Sequence, residues 1–353
     1  PFASHPDNNF NWKKELKKEF SSIKKIIDAD FLRVSMHPGQ YTVLNSPNQK
    51  VVNNAVKDLI YHCKFLDSVT SNETHKVIIH IGGVYGDKPA AINRFIKQWE
   101  KLPHFIKNRL VIENDEKNFS ISDVLNISKK TGIPVVFDNL HHSLNNPENI
   151  SITESITACA DTWLKKDGIQ KIHFSQQNFL KHSGAHSETI YPADFFKFYK
   201  SLPSIKPDIM LEVKDKNISV EKINNLLNGN RKVLEEEWGK YKYSVMKRSY
   251  SAYKSISALM RLNNVNMQII MNNIQEALDK PIHLKSFLNA AEHVWGHLKN
   301  KTILSEKKQF IVLKEKYLVE PNIKISKELL SYLKNLTQKY NNSYLLKSYY
   351  FSL

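Results

Sequence analysis

Residues 109–139 read RLVIENDEKNFSISDVLNISKKTGIPVVFDN, and this stretch decides the fold class. Two short apolar runs, at 109–114 and 133–139, enclose an amphipathic segment at 120–131. Strands that are apolar on both faces and are separated by a helix of this length are typical of a βαβ unit in a parallel sheet. Each of the two runs has an acidic residue next to its end, Glu113 in the first and Asp138 in the second.

The same alternation of strand and helix extends over most of the chain. Further strands are predicted at 31–36, 76–81, 169–175 and 209–214, with amphipathic segments at 49–69, 88–102, 153–165, 192–201 and 219–227. No Gly-rich phosphate loop follows a strand, which disfavours a Rossmann sheet. We therefore predict an α/β fold, a (β/α)8 TIM barrel. Because six strands are two short of eight, we expect the first two strands of the barrel to be missing from this chain.

The pattern changes after residue 228. The sequence NGNRKVLEEEWGK at 228–240 reads as a polar connection, and helical patterns follow at 240–262, 264–278, 283–299, 304–318 and 324–340. We predict two domains, an incomplete barrel at 1–228 and an all-α domain at 235–353. Residues 235–353 carry 19 Lys and Arg against 10 Asp and Glu, so this second domain is expected to be basic.

Composition sets limits on compartment and partners. The net charge of +16 indicates a polyanionic partner, although a lysine-rich composition throughout the chain would also produce it. No segment resembles a signal peptide, and no apolar run approaches the length needed to cross a bilayer. Cys63 and Cys159 lack CxxC spacing and are expected to be core residues in a reduced compartment. We expect a monomer that is not secreted and has no membrane partner.

The predicted strand ends carry chemically active side chains. In a parallel barrel the catalytic face is the one where the strands end. That face is predicted to present His37, His80, Glu113, Asp138, His141, Lys171, His173, Glu212 and Lys214, and the loop after the fifth strand adds His182 and His186. Imidazole and carboxylate groups together suit divalent transition metals, and metal pairs support phosphoryl chemistry. A metal-dependent sugar isomerase or epimerase of the same architecture remains an alternative.

Several segments also resemble a known family. HPGQY, IIHIGG, VIENDE, VVFDNLHH, GAHSE and LEVKDK occur in the order found in the UV damage endonuclease family, whose barrel belongs to the endonuclease IV-like superfamily. The resemblance implies a cluster of up to three divalent ions, with manganese expected and zinc or cobalt as alternatives. The implied ligands of the first ion are His37, His80 and Glu113. Glu113 would be shared with a second ion bound by Asp138, His173 and Glu212, and a third would be held by His141 and His186.

The resemblance further implies a reaction and its catalytic groups. The family nicks the phosphodiester on the 5′ side of UV photoproducts, and abasic sites are a further expected substrate, leaving a 3′-hydroxyl and a 5′-phosphate. Glu113, Lys171 and Glu212 are the implied catalytic residues, and Lys171 is either carboxylated or a contact to the substrate phosphate. The expected partner is damaged double-stranded DNA, so the protein would act in the cytoplasm or nucleus, wherever the DNA is. A catalytically inert nucleic-acid-binding fragment is the other alternative.

Contacts to DNA are implied for three residues of the same face. Gln40 and Tyr41 would wedge into the duplex at the lesion, offsetting the unstacking of extruded bases. Lys214 would contact the DNA as well. The resemblance also places His5 near the site and His182 on the surface.

The tail has a resemblance of its own. Residues 240–353 resemble an uncharacterised domain found behind thiouracil desulfidase-like domains, through Asn289, His293, Gly296 and Lys299, with a departure at Phe287. This similarity and the basic charge predict an accessory domain whose partner is nucleic acid. Tyr243, Met246, Tyr250 and Tyr253 fall at helical spacing, and we expect them in a core, with the intervening lysines in solvent.

Overall fold

The computed structural model describes residues 8–179 and 181–353, which form two compact units. The first contains the described residues up to Glu188 together with Ser201–Lys214, and the second contains Thr189–Lys200 and Asp215–Leu353. These units differ from the predicted ranges 1–228 and 235–353, because the helices at 192–200 and 217–227 group with the helices that follow them. The predicted domain ranges stay a prediction.

The first unit contains a parallel sheet of six strands in sequential order. The strands are β1 Ser35–Met36, β2 Lys76–His80, β3 Leu110–Glu113, β4 Val135–Asp138, β5 Lys171–Phe174 and β6 Asp208–Leu211. Each strand pairs in parallel with the next along the chain. The structure confirms the predicted fold class, an α/β barrel sheet, with six strands in the residues that the structure describes.

Helices precede the first strand of this sheet and connect its strands. Its helices are α1 Trp12–Glu15, α2 Lys17–Ala29, α3 Gln49–Val69, α4 Lys88–Lys101, α5 His104–Lys107, α6 Ile121–Thr131, α7 Asn139–Leu144 and α8 Ile152–Ala160, with a 3₁₀ turn at Lys165–Asp167. Ser120 and Ser151 begin α6 and α8 with capping boxes, which satisfy the first free amides of each helix. Cys63 and Cys159 are buried, as predicted.

The amino-terminal end of the barrel is held by charged side chains. Arg33 precedes β1 and forms an ion pair with Asp208 at the start of β6, and its guanidinium also donates to the carbonyl of Ile169 at 2.6 Å. The buried Lys76 ammonium lies 2.7 Å from the carboxylate of Asp167. The predicted ligands His80, Glu113 and Asp138 lie at the opposite end of the strands.

The second unit is all-α over its described residues, as predicted. Its helices are α9 Pro192–Lys200, α10 Asn217–Leu227, α11 Arg231–Met246, α12 Tyr250–Leu259, α13 Met267–Leu278, α14 Leu284–Gly296, α15 Leu304–Val319, α16 Ile323–Lys339 and α17 Ser343–Leu346, followed by a 3₁₀ turn at Tyr349–Phe351. Across the described ranges, no helix combines the length and apolarity that crossing a membrane requires.

Expectations for two helix boundaries and one lysine of this unit were wrong. The polar connection at 228–240 is mostly the first part of α11, because Asn230 caps that helix by accepting from the amide of Val233. The single helix expected at 240–262 breaks after Met246, and Ser249 caps α12. Lys247, expected in solvent, is buried at 3% exposure, and its ammonium donates to the carbonyl of Tyr350 at 2.9 Å.

Candidate metal centre

Glu113 lies at the centre of the predicted site. It ends β3, and its side chain is 1% exposed. One carboxylate oxygen lies 3.1 Å from Nε2 of His37 and 3.8 Å from Nε2 of His80. The other oxygen lies 2.9 Å from Nδ1 of His173. A single buried carboxylate therefore contacts imidazoles that follow or end three different strands.

Two groups of three side chains around Glu113 have the composition of metal sites. His37, His80 and Glu113 form one group, and Glu113, Asp138 and His173 form the other. Within each group the candidate ligand atoms lie within 4.8 Å of one another. Glu113 belongs to both groups, which is the bridging position that the resemblance implied for it.

The remaining predicted ligands extend this network in the direction of β6. Glu212 follows β6 and lies 3.2 Å from Nδ1 of His173, and its second oxygen lies 3.7 Å from Nε2 of His186. His141 lies in the first turn of α7, with Nδ1 3.8 Å from both Glu113 and Asp138. All eight residues predicted to bind metal are thus brought together in one connected cluster.

Burial and mutual charge set the protonation of the central groups. Burial by itself raises the pKa of Glu113, but His173 and His80 outweigh it, and the pKa lies well below its ordinary value. Burial lowers the pKa of His173, yet the carboxylate of Glu113 raises it to about 9. Burial raises the pKa of Asp138 to about 7, even though His141 opposes the shift. The protonation of each carboxylate in the cluster therefore depends on the neighbouring imidazoles, and that of each imidazole depends on the neighbouring carboxylates.

An unpartnered carboxylate oxygen and the donor set of the cluster fit cations. Among the described residues, Oδ2 of Asp138 is buried and makes no hydrogen bond. Buried polar atoms without a partner are rare because their desolvation is unfavourable. Imidazole nitrogens and carboxylate oxygens in this arrangement are the donor set that manganese, zinc and cobalt accept. The residues present therefore fit divalent ions.

Asparagines directly after two of the acidic ligands fix the strand ends, and the sequence analysis did not identify them. Asn114 accepts from the amide of Asp138 at 2.9 Å and donates to its carbonyl at 3.2 Å. Asn139 makes the same pair of bonds with Ser175, at 2.7 and 3.0 Å. Asn114 therefore holds the ligand Asp138 directly, whereas Asn139 holds the backbone of Ser175, two residues after the ligand His173. The repeated acid–Asn dipeptide at 113–114 and 138–139 was the available signal.

Glu116, like the two asparagines, was not identified from the sequence. Its carboxylate lies 3.8 Å from Nε2 of His141, and its side chain is about half exposed at the rim of the cluster. The segment VIENDE at 111–116 contains Glu113, Asp115 and Glu116, and the resemblance implied a role for Glu113 alone. Glu116 is therefore an additional candidate for holding the ion assigned to His141.

An open cavity of 430 Å³ adjoins the His37 and His80 side of the cluster. Gln40, Thr42, Tyr85 and Glu116 are among the residues that line it. Tyr41 is 52% exposed beside the cavity, and Thr42 fixes the loop by donating to the buried carboxylate of Asp58 at 2.7 Å. An exposed ring on an anchored loop is unusual for a packing residue and is available for stacking.

The structure places the other predicted residues as follows. Lys171 is buried and donates to the hydroxyl of Ser35 at 2.9 Å, without a contact to the Glu113 cluster among the described residues. Burial, with Arg33 acting in the same direction, lowers the pKa of Lys171 to about 8. Lys214 is exposed and near enough to His186 to lower the pKa of that imidazole, after the larger effect of burial. His182 is exposed, as expected, and His5 lies outside the described residues.

Comparison with known proteins gives consistent results. Residues 1–243 match the family described as UV-endonuclease UvdE, and residues 242–353 match the family described as Protein of unknown function (DUF1722). The chain is 41% identical over 309 residues to a UV DNA damage endonuclease of Clostridium perfringens (strain 13 / Type A), covering 85% of this chain and 74% of that protein. It is 32% identical over 239 residues to a UV DNA damage endonuclease of Bacillus pumilus (strain SAFR-032), covering 66% and 74% of the two chains. The crystal structure of SacUVDE matches with a TM-score of 0.60 and 42% identity, over 65% of this chain and 76% of that one.

Proposed function

The chain belongs to the UV-endonuclease UvdE family, and from this premise we propose that it is a metal-dependent DNA repair endonuclease. The proposed reaction is hydrolysis of the phosphodiester on the 5′ side of a UV photoproduct or an abasic site, leaving a 3′-hydroxyl and a 5′-phosphate. The observation that carries the proposal is the buried carboxylate of Glu113 among imidazoles and acids at the strand ends. The proposed substrate is damaged double-stranded DNA, wherever that DNA is in the cell.

A different set of side chains would hold each of the three cations. His37, His80 and Glu113 would hold one ion, and Asp138, His173 and Glu212 would hold a second that shares Glu113. His141 and His186 would hold a third, with Glu116 as a further donor. When bound, divalent cations neutralise charge on a phosphodiester and lower the pKa of water. Manganese is the proposed metal.

The acidic residues also keep the site from binding phosphate without cations. Glu113 and Glu212 both contact Nδ1 of His173, and two carboxylates this close together disfavour the approach of a phosphodiester unless cations are bound. Asn114 and Asn139 hold the strand ends at fixed separation, so the ligand atoms need little reorganisation when the substrate arrives. The cluster is therefore preorganised by its own chain.

Lys171 has two candidate roles, as a carboxylated side chain and as a contact to the substrate phosphate. Its ammonium donates to Ser35, and its pKa is lowered to about 8. A fraction of the side chain is therefore a neutral amine near neutral pH, which is the form that can be carboxylated. A lysine that stays protonated would instead attract the substrate phosphate. We propose the first role, because the buried side chain lies two residues before the ligand His173 on the same face of β5.

The exposed loop after β1 is proposed to recognise the lesion. Gln40 and Tyr41 are exposed beside the cavity, and an amide and a phenol ring can stack in the gap left by extruded bases. Lys214, exposed near His186, is proposed to contact the DNA backbone. Damaged sites stack poorly, so the wedge would enter them more readily than intact duplex.

One experiment tests the proposed reaction. A duplex with one defined photoproduct is incubated with the protein in Mn²⁺ and, separately, in excess EDTA, and the product ends are mapped by gel electrophoresis. We expect a single nick 5′ to the lesion in Mn²⁺, none in EDTA, and at least a hundredfold slower nicking by Glu113→Gln, which still binds the duplex. A sugar isomerase or an inert fragment would show no metal-dependent nick, and wild-type nicking by Glu113→Gln would remove Glu113 from the site.

A further inference from the structure

The second unit presents a stack of three aromatic rings on α11 and α12. The ring centroids of Trp238 and Tyr253 lie 5.9 Å apart with planes at 26°, and those of Tyr253 and Tyr250 lie 5.8 Å apart at 24°. Tyr250 ends the stack and is 42% exposed. The sequence analysis expected Tyr250 in the core, and this expectation was wrong, because the break before α12 turns its ring to the surface.

Two lysines of this region rest on aromatic rings and not on carboxylates. The ammonium of Lys254 lies 5.8 Å from the ring centroid of Tyr250. The ammonium of Lys242 lies 4.9 Å from the centroid of Tyr243 and 5.0 Å from that of Tyr344. Over the described part of the chain, neither lysine forms an ion pair, whereas Lys314, Lys316 and Lys339 on the same unit each contact a glutamate.

The unpaired charge of Lys242 is held by its surroundings. Burial lowers the pKa of this ammonium, but its hydrogen bond to Tyr344 and the phenol groups outweigh burial, and the pKa is raised. The hydroxyl of Tyr344 donates to the carbonyl of Gly239 at 2.9 Å, which fixes the ring against α11. Among the residues that the structure describes, Lys242 is therefore a positioned cation without an anionic partner.

The rings and the lysines form one continuous surface. Trp238 and Lys242 are four residues apart on α11 and so share a face of the helix. Tyr253 stacks on Trp238 and on Tyr250, and the ammonium of Lys254 lies over the ring of Tyr250. We call this set the aromatic–lysine surface, and its members are Trp238, Lys242, Tyr250, Tyr253, Lys254 and Tyr344.

Stacked rings beside unpaired cations have the chemistry of single-stranded nucleic-acid binding. An unpaired base stacks on an exposed aromatic ring, and the phosphates on each side attract lysines. In a duplex the base faces are covered by their neighbours, so a ring such as Tyr250 gains little from it. We propose that the aromatic–lysine surface binds single-stranded polynucleotide, with a base on Tyr250 and phosphates at Lys254 and Lys242. The proposal does not depend on the nicking reaction, because the Glu113 cluster contributes no residue to this surface.

Binding of undamaged oligonucleotides by the full chain in EDTA tests the proposal while nicking is suppressed. Fluorescence anisotropy is measured with labelled fifteen-nucleotide oligo(dT), with oligo(U) of equal length and with an undamaged duplex. We expect Tyr250→Ala to weaken oligo(dT) binding about tenfold, the usual effect of one lost stacking ring. Lys242→Gln should weaken binding and reduce the salt slope by about 0.7, the value for one phosphate contact to a single strand. Equal affinity for oligo(U) would assign the surface to both polynucleotides, and weaker binding of oligo(U) would assign it to DNA.

Lys308→Gln is the matched control, because Lys308 is an exposed lysine of α15 outside the surface. It removes one charge and should leave both affinity and slope near those of the wild type. The proposal is overturned if Tyr250→Ala and Lys242→Gln bind oligo(dT) as tightly as the wild type. It is also overturned if Lys308→Gln loses as much affinity for oligo(dT) as those two variants do. It is also overturned if both variants lose duplex binding as much as single-strand binding, or if thymidine monophosphate competes at the same concentration as the oligonucleotide. Unchanged circular dichroism melting of each variant establishes that folding is preserved.

Discussion

The ring of Tyr41 lies over the backbone of Gly39, so that a β-carbon added at residue 39 would lie 2.5 Å from Cε1 of Tyr41. The close approach of the Tyr41 ring, and not the backbone conformation of Gly39, is what disfavours a side chain at residue 39. A side chain at residue 39 and the present position of the Tyr41 ring exclude each other. The ring is exposed, so it can move away instead of unfolding the loop.

We therefore predict that Gly39→Ala displaces the Tyr41 ring and impairs lesion recognition. The variant should discriminate between photoproduct-containing and intact duplex about as poorly as Tyr41→Ala, because both lose the stacking ring at the same place. The ratio of the two dissociation constants, measured by anisotropy in EDTA, checks this. Metal affinity should be unchanged in both variants, since the cluster side chains are retained. If Tyr41→Ala discriminates between damaged and intact duplex as well as the wild type, the ring of Tyr41 serves only in packing.

Asn114 provides a second prediction, about positioning. Asn114→Ala leaves the buried amide and carbonyl of Asp138 without their partners, which should lower the free energy of unfolding by about 1–3 kcal/mol. The rate of nicking should fall with little change in the affinity for DNA, because Asp138 is no longer held in place. Urea unfolding and single-turnover kinetics measure the two effects.

Asn224→Ala is the control for Asn114→Ala, since Asn224 is exposed on α10. It should change stability by less than about 0.5 kcal/mol and leave nicking unaffected. If Asn114→Ala lowers stability but nicks at the wild-type rate, Asn114 is structural only.

The sequence predicted the sheet and the ligand set because both depend on local patterns. Apolar β-branched runs such as 76–81 mark buried parallel strands, and the residue that ends each run lies at one edge of the sheet whatever the loops do. His80, Glu113 and Asp138 could be selected in this way, and the structure brings them together. β1 is shorter than predicted, because only Ser35–Met36 pairs with β2 at the edge of the described sheet.

Other features depend on contacts between distant segments, and no local pattern contains them. Lys171 reads as a strand-end cation, but the structure pairs it with Ser35, 136 residues earlier. Lys247 reads as the polar face of a helix, yet it is covered by the chain end around Tyr350. Trp238 and Tyr253 lie on different helices, so their stacking required the packing of α11 on α12.

A third prediction concerns metal binding itself. Mn²⁺ should stabilise the first unit, because it binds the folded cluster and not the unfolded chain. At a hundredfold excess over its dissociation constant the gain is about 2.7 kcal/mol, or roughly 5–10 °C in the melting temperature of a unit this size. Differential scanning calorimetry with Mn²⁺ and with EDTA measures the shift. Asp138→Asn should reduce it, since one ligand oxygen is lost, and Glu188→Gln, an exposed carboxylate paired with Lys181, should retain it in full. A shift that is equal in Asp138→Asn and the wild type would place the bound ion elsewhere.

The buried ammonium of Lys247 gives the fourth prediction, a dependence of stability on pH. Burial lowers the pKa of Lys247 to about 7, and the neighbouring Arg248 acts in the same direction. In the unfolded chain a lysine has a pKa near 10.4, so between pH 7 and 10 the unfolded state binds a proton that the folded state does not. The contribution of Lys247 to the free energy of unfolding therefore rises with pH through that range. The rise is on the order of 2 kcal/mol between pH 6 and pH 9.

Lys247→Met should remove this dependence, because methionine fills the same space without a charge. The variant should gain stability relative to the wild type at pH 6, and the gain should shrink towards pH 9, where the wild-type lysine is already neutral when folded. The lost hydrogen bond to the carbonyl of Tyr350 subtracts about 1 kcal/mol at every pH and so does not alter the trend. Urea unfolding followed by circular dichroism at both pH values measures the difference, and groups that titrate equally in both proteins cancel. A difference between variant and wild type that is the same at pH 6 and pH 9 would show that Lys247 is charged in the folded protein throughout.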